Sequence, residues 1–122
     1  IYLDEGSIAK GLGGFIQFNF ARPANVDGFI QENLTLWKPY FEKTMDSMGM
    51  VNWGVGRKLA PLGANWAKVS TWDMFNTLDE LMKYRIGYKL PADLLKKSKM
   101  KDHNPDGFMM TPIFQMIANS AQ

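Results

Sequence analysis

Residues 51–72 read VNWGVGRKLAPLGANWAKVSTW, and the rest of the chain is organised around them. Val51, Trp53 and Val55 alternate with Asn52, Gly54 and Gly56, the period-two pattern of a half-buried strand. Beyond the turn signal Pro61-Leu62-Gly63, Ala67, Val69 and Thr71 alternate with Trp66, Lys68 and Ser70. The stretch predicts a hairpin of strands Val51–Ala60 and Asn65–Thr71. Two glycines two apart on one strand face leave a shallow groove or admit a close neighbour.

Upstream, Val26, Phe29, Ile30, Leu34, Trp37, Phe41, Met45 and Met48 recur at spacings of three and four. That is the stripe of one long amphipathic helix. Asn25 is a suitable N-cap, Asp27 suits the helix dipole in the first turn, and Gly49 is a C-terminal stop. Pro39 falls inside this helix, where it removes a backbone bond and crowds Thr35, so a kink is expected near Trp37. Gly14–Ala21 reads as a strand with Phe15, Gln17 and Asn19 on one face and Ile16, Phe18 and Phe20 on the other. Arg22-Pro23-Ala24 ends it, and residues 1–13, glycine-rich at Gly11-Leu12-Gly13-Gly14, read as an irregular arm.

Downstream, Thr71 or Asp73 is expected to cap a second helix with Phe75, Leu78, Leu81 and Met82 as its buried stripe. Pro91 opens a short helix through Lys101, Asn104-Pro105-Asp106-Gly107 is a turn, and Thr111–Ala118 is the last strand. The order is β-α-β-β-α-β in a single domain spanning residues 1–122. Right-handed crossovers then give a ferredoxin-like α+β fold, a four-stranded antiparallel sheet with both helices on one face. Several strands carry large apolar groups on both faces: Phe15 and Phe18, Trp66 and Val69, Phe114 and Ile113. The face without helices needs a cover, and a second copy about a two-fold axis supplies it most simply.

Leu36-Trp37-Lys38-Pro39, then Gly49, then Trp53-Gly54, then Ala60-Pro61-Leu62-Gly63 resemble the dimeric α/β-barrel superfamily. More narrowly, the pattern is similar to bacterial ferredoxin-like proteins of unknown function, over roughly residues 14–82. The resemblance implies a two-fold dimeric barrel. It also implies one of several activities: cofactor-free oxygenases of aromatic polyketides, haem enzymes, muconolactone isomerase-like enzymes or ligand-binding regulators. No motif here carries the catalytic residues of any of these. Residues 83–110 are longer than the usual connection to the last strand.

Composition narrows the choice. The chain has 122 residues, 46% of them apolar, enough for a sizeable core. No apolar run approaches the roughly 18 residues of a membrane span. The absence of cysteine removes disulfides, thiolate metal sites and a cysteine nucleophile. It fits an exported or a cytoplasmic protein equally. The chain starts at Ile1 without a visible signal peptide, which is read as a removed leader or a trimmed sequence. The net charge of +2 does not argue for nucleic acid. The basic excess is local: residues 83–103 carry seven basic and two acidic side chains. Lys96, Lys97, Lys99 and Lys101 in that segment read first as a solvated helix face and otherwise as a contact for an anionic partner.

No cofactor or metal is expected. His103, the only histidine, sits in a lysine-rich loop and reads first as a surface residue and second as a base or haem ligand. Trp37, Tyr40, Trp53, Trp66 and Trp72 form an aromatic set that is either core and dimer packing or the wall of a ligand pocket. Arg57 and Lys68, on adjacent strands, either snorkel at the sheet edge or hold an anionic or carbonyl group. Residues 85–108 are a possible lid, with Tyr88 and Phe108 turned inward. The resulting expectation is a homodimeric small-molecule-binding protein. Its pocket lies between sheet and helices, lined from Trp37, Tyr40, Trp53, Arg57, Trp66, Lys68 and His103, for a small apolar or aromatic ligand. The alternatives are a cofactor-free oxygenase- or isomerase-type enzyme acting on an aromatic or lactone substrate, and a structural module without a pocket.

Overall fold

The computed structural model describes residues 2–59 and 66–117. The turn expected at Pro61-Leu62-Gly63, and with it Ala60, Asn65 and Ala118, lies outside the described residues. The chain is α+β. Its strands are β1 (Tyr2–Ala9), β2 (Phe15–Ala21), β3 (Met50–Lys58), β4 (Val69–Phe75), β5 (Phe108–Met110) and β6 (Ile113–Gln115). Its helices are α1 (Val26–Glu32), α2 (Lys38–Met48), α3 (Leu78–Gly87), α4 (Ala92–Lys97) and α5 (Met100–His103), with a π-helical segment, Asn33–Trp37, between α1 and α2. The sheet is antiparallel throughout and runs β1-β3-β4-β2, with β5 and β6 both on the outer edge of β2.

This corrects the four-stranded expectation to six strands. Residues 2–9 are not an irregular arm but an edge strand paired with β3 from Tyr2↔Lys58 to Ala9↔Asn52. Two acidic residues and a glycine obscured it. Asp4 turns out to shape a bulge, its carboxylate accepting from the Gly6 amide at 2.9 Å and the Ser7 hydroxyl at 2.9 Å. The last strand is two short pieces rather than one.

The first helix starts at its Asn25 cap, whose side chain accepts from the Gly28 amide, and stops at Gly49, which adopts φ 75° where only glycine is unstrained. Pro39 is accommodated without a break. Its ring has no N–H for the Thr35 carbonyl, and the turn before it widens into the π segment, in which the Lys38 amide bonds Asn33. The second helix begins later than expected. Thr71 and Asp73 do not cap it but lie in β4. Thr77 is the cap, its hydroxyl oxygen accepting from the Glu80 amide at 3.2 Å while the hydroxyl bonds the Glu80 carboxylate at 2.9 Å. The Thr77 oxygen satisfies one open amide at the helix start, and the Glu80 carboxylate holds the hydroxyl in place. The helix expected over 91–101 is two short helices, α4 and α5.

The helices pack on the sheet face that carries Phe15 and Ala21 of β2, Trp53 and Val55 of β3, and Val69 and Phe75 of β4. Phe29, Ile30, Phe41 and Met45 from the first helix region and Leu81 from α3 complete a buried core. Each such side chain stabilises by about 1.5–3 kcal/mol through burial. The other face of the sheet holds Ile16, Phe18, Phe20, Trp72, Met74 and Phe114, none of them in that core. There Phe18 stacks on Phe20 at 5.9 Å and meets Phe114 edge-on at 5.7 Å, and Phe20 tilts against Tyr2 and Trp66. The groove expected at Gly54 and Gly56 is filled. The Trp72 indole lies over both, close enough that a Cβ on Gly54 would collide with it, and its N–H donates to Asn52 Oδ1 at 3.1 Å.

Candidate functional site

Strand alternation puts Gln17 and Asn19 on the helix side of β2 and Thr71 and Asp73 on the same side of β4. Register then sets them opposite one another, Gln17↔Asp73 and Asn19↔Thr71. All four are buried. Four polar side chains on a core face are stable only if they satisfy one another. They do so as one line. Arg85 donates to Gln17 Oε1 at 3.0 Å, Gln17 to Asn19 Oδ1 at 2.7 Å, and Asn19 to both Thr71 Oγ1 at 3.0 Å and Asp73 Oδ2 at 2.7 Å. Tyr84, from α3, lies beside the Asp73 carboxylate and favours its charged form. Arg85 is itself held by the Thr111 carbonyl at 2.7 Å and hydroxyl at 2.9 Å.

This line is one wall of a cavity of about 630 Å³ between the sheet and the helices. Phe29, Trp37 and Phe41 from the first helix region, Trp53 from β3, and Tyr84 and Tyr88 from α3 and its end form the aromatic walls. The mouth is built from the long connection: Leu90, Met100, Lys101, Asn104, Pro105, Phe108 and Thr111. That connection is fastened to α1. Glu32, buried, accepts from the Trp37 indole at 2.9 Å, the Ser98 hydroxyl at 2.7 Å and the Lys99 amide, and the Asn25 amide donates to the His103 carbonyl at 3.1 Å.

Asp73 is fully enclosed, and no ion pair among the described residues involves it. Burial pushes its carboxyl up to about 7, against the opposing pull of the Asn19 and Tyr84 hydrogen bonds. The Tyr84 hydroxyl is raised well above its ordinary value, first by burial and then by the Asp73, Tyr88 and Tyr40 charges. Tyr40, in hydroxyl-to-hydroxyl contact with Tyr88, is pushed up to about 12, chiefly by burial. The site therefore holds one group able to take or give a proton near neutrality, with hydrogen-bond donors already aimed at it. Asn104 is buried at the mouth, and its side-chain oxygen has no hydrogen-bond partner among the described residues.

Of the residues expected at a pocket, Trp37 and Trp53 line this cavity. Tyr40 stands just behind it, edge-on to Trp37 and Phe41. Tyr88 and Phe108, expected to turn inward, both line it. Arg57 is placed elsewhere, bound to Glu5 at 3.1 Å and Asp27 at 2.8 Å. Trp66 is exposed and tilts against Phe20 on the opposite sheet face, and Lys68 is exposed beside β4. His103 packs against α1, 4.0 Å from Glu32 and in contact range of Asn25 and Gly28. The residues that reading by sequence missed are Asp73, Thr71, Tyr84 and Arg85. The first two were assigned to a helix cap; extending the β4 alternation past Thr71 and preferring Thr77-Leu78-Asp79-Glu80 as the cap would have found them. Among the described residues no group of three or more His, Asp or Glu side chains is placed to hold a metal, and no helix is long and apolar enough to cross a membrane. Compared with known proteins, the chain matches no family model, and no curated protein and no solved structure matches it.

Proposed function

We propose that this chain is a small-molecule-binding protein whose ligand occupies the cavity between sheet and helices. The ligand would be a largely apolar, ring-containing compound with at least one polar group. The observation that carries this reading is the cavity itself: about 630 Å³, with aromatic side chains from the helices and β3, a polar patch of Gln17, Asn19, Thr71 and Asp73 on the sheet, and further polar groups, Asn33, Lys101 and Asn104, on the other sides. Ligand sites for small molecules run from about 300 to 1,000 Å³ and have this division of labour. A structural module would fill such a space with side chains, since close packing is what makes a core stable. The unpartnered Asn104 oxygen at the mouth also favours an occupant, because a buried acceptor without a donor costs about 1–3 kcal/mol.

The same reading takes the chain as a dimeric α/β barrel. Two observations support it. With β1 set aside as an added edge, the order β3-β4-β2 followed by β5 and β6 is that of a ferredoxin-like sheet. And the face bearing Phe18, Phe20, Trp72 and Phe114 is apolar where a two-fold partner would lie. Native mass spectrometry of the purified protein, repeated after denaturation, tests both parts. A dimer carrying an extra mass that is lost on denaturation is the expected result. A monomer at micromolar concentration would remove the barrel, and failure of the protein to take up any of a panel of apolar ring compounds would remove the binding site.

A further inference from the structure

We propose that Asp73 is a proton acceptor acting on enolisable ring ketones bound in the cavity, with Tyr84 and Asn19 positioning its carboxylate. The inference rests on the binding reading above and adds chemistry to it. A carboxylate buried on a core face is costly, and an apolar side chain at this register position would pack against Trp53 and Phe75 without that cost. An ionised carboxylate has about four acceptor positions. Asn19 accounts for one of them, and Asp73, though almost wholly enclosed, is among the side chains that line the cavity. Among the described residues no cation pairs with it directly. Arg85 reaches it only through Gln17 and Asn19. Its carboxyl, pushed up to about 7 by burial, is part ionised and part protonated near neutrality, the condition under which a general base is most effective.

The substrate class follows from the walls. Trp37, Phe41 and Trp53 accept a flat apolar ring, and the cations that face the same cavity, Arg85 and Lys101, suit a developing oxyanion rather than a resident dianion. In the step proposed, a C–H bond adjacent to the carbonyl breaks and its proton moves to an Asp73 oxygen. The C–H electron pair becomes the C=C bond of the enolate, and the carbonyl electrons come to rest on oxygen. Return of the proton to the same carbon gives exchange with solvent. Return to a more distant carbon of an unsaturated ketone gives its isomer. Atoms and electrons balance with no oxidant or co-reactant. The other titratable groups facing Asp73 are Tyr84 directly and Tyr88, Arg85 and Lys101 around the cavity.

The test uses 2-tetralone in D2O, with loss of its C1 proton signal followed by NMR, and 2-naphthol as a non-exchanging analogue whose binding is read by saturation transfer. The wild-type protein should accelerate exchange about a hundredfold over buffer. The rate should rise with pD through neutrality, and saturating 2-naphthol should suppress it. Asp73→Asn should lose the acceleration while still binding 2-naphthol. Tyr84→Phe should slow exchange at neutral pD and move the rising limb to higher pD, because a group that favours the carboxylate is gone. If 2-naphthol binds and the wild-type rate equals buffer, the proton-acceptor role falls and the binding site stands. If Asp73→Asn exchanges as fast as wild type, the role falls likewise. If neither compound binds, the binding reading falls and this inference with it. Should Asp73→Asn fail to fold, the wild-type pD profile and the Tyr84→Phe shift decide the matter: a flat profile or an unmoved limb overturns the proposal.

Discussion

Asp73 should make the protein less stable as the solution becomes more basic, which is the reverse of what most carboxylates do. An aspartate in the unfolded chain titrates near its ordinary 3.8, and in the folded protein Asp73 is pushed up to about 7. Between those values the native state holds a proton that the unfolded state has released. Stability therefore falls as pH rises from about 4 to about 7 and levels off above that. The whole span corresponds to about 4 kcal/mol, and the portion between roughly pH 5 and pH 8 to about 2–3 kcal/mol. Other groups titrate over the same range, so the assay is a comparison: urea unfolding of wild type and Asp73→Asn at a series of pH values. The substitution keeps the shape and removes the titration. The wild type should lose about 2–3 kcal/mol more than the variant between those two pH values. Parallel profiles would show that Asp73 is ionised in the folded protein throughout, either hydrated or paired, and would refute the account of its burial.

Gly54→Ala should cost about 1–3 kcal/mol, because a methyl there displaces the Trp72 indole and its bond to Asn52, whereas Gly87→Ala, with open space around it, should be neutral or stabilise by about 0.4–1 kcal/mol; thermal melts of the two variants provide the comparison. Glu32→Ala leaves the Trp37 indole, the Ser98 hydroxyl and the Lys99 amide without their acceptor, and should cost about 2–3 kcal/mol while speeding amide exchange in residues 92–103; an unchanged exchange rate there would mean the connection is held by something else. Trp37→Ala should cost about 3–5 kcal/mol despite its place in the cavity wall, since the indole is buried and bonded; a loss below 1 kcal/mol by urea unfolding would mean the site tolerates its removal as an open pocket does.

The amphipathic stripe from Val26 to Met48, its Asn25 cap and its Gly49 stop were legible because helix start, stop and period are local properties. So was the alternation of β2 and β3, and with it the pairing of Gln17 and Asn19 on one face. The sequence also showed that Pro39 must disturb its helix, though not that the disturbance would take the form of a π segment. What local pattern decided wrongly was where β4 ends. Thr71 and Asp73 are good caps by residue type, and only the ladder to Asn19 and Gln17 shows that the strand continues through them. The same dependence on distant pairing hid β1, whose partner lies about fifty residues away.

By itself, then, the sequence determined the α+β class, the two amphipathic layers and the aromatic supply from which a pocket can be lined. Tertiary structure decided which residues the cavity is built from. The line from Arg85 through Gln17 and Asn19 to Asp73 and Tyr84 joins residues from three elements far apart in sequence. No spacing along the chain encodes it. Enclosure matters as much as proximity: the carboxyl of Asp73 acquires its unusual proton affinity from the exclusion of water by side chains far from it in sequence. Arg57 shows the converse, since a charge that looked free on its strand is bound to Glu5 and Asp27 once the edge strand and the first helix are in place.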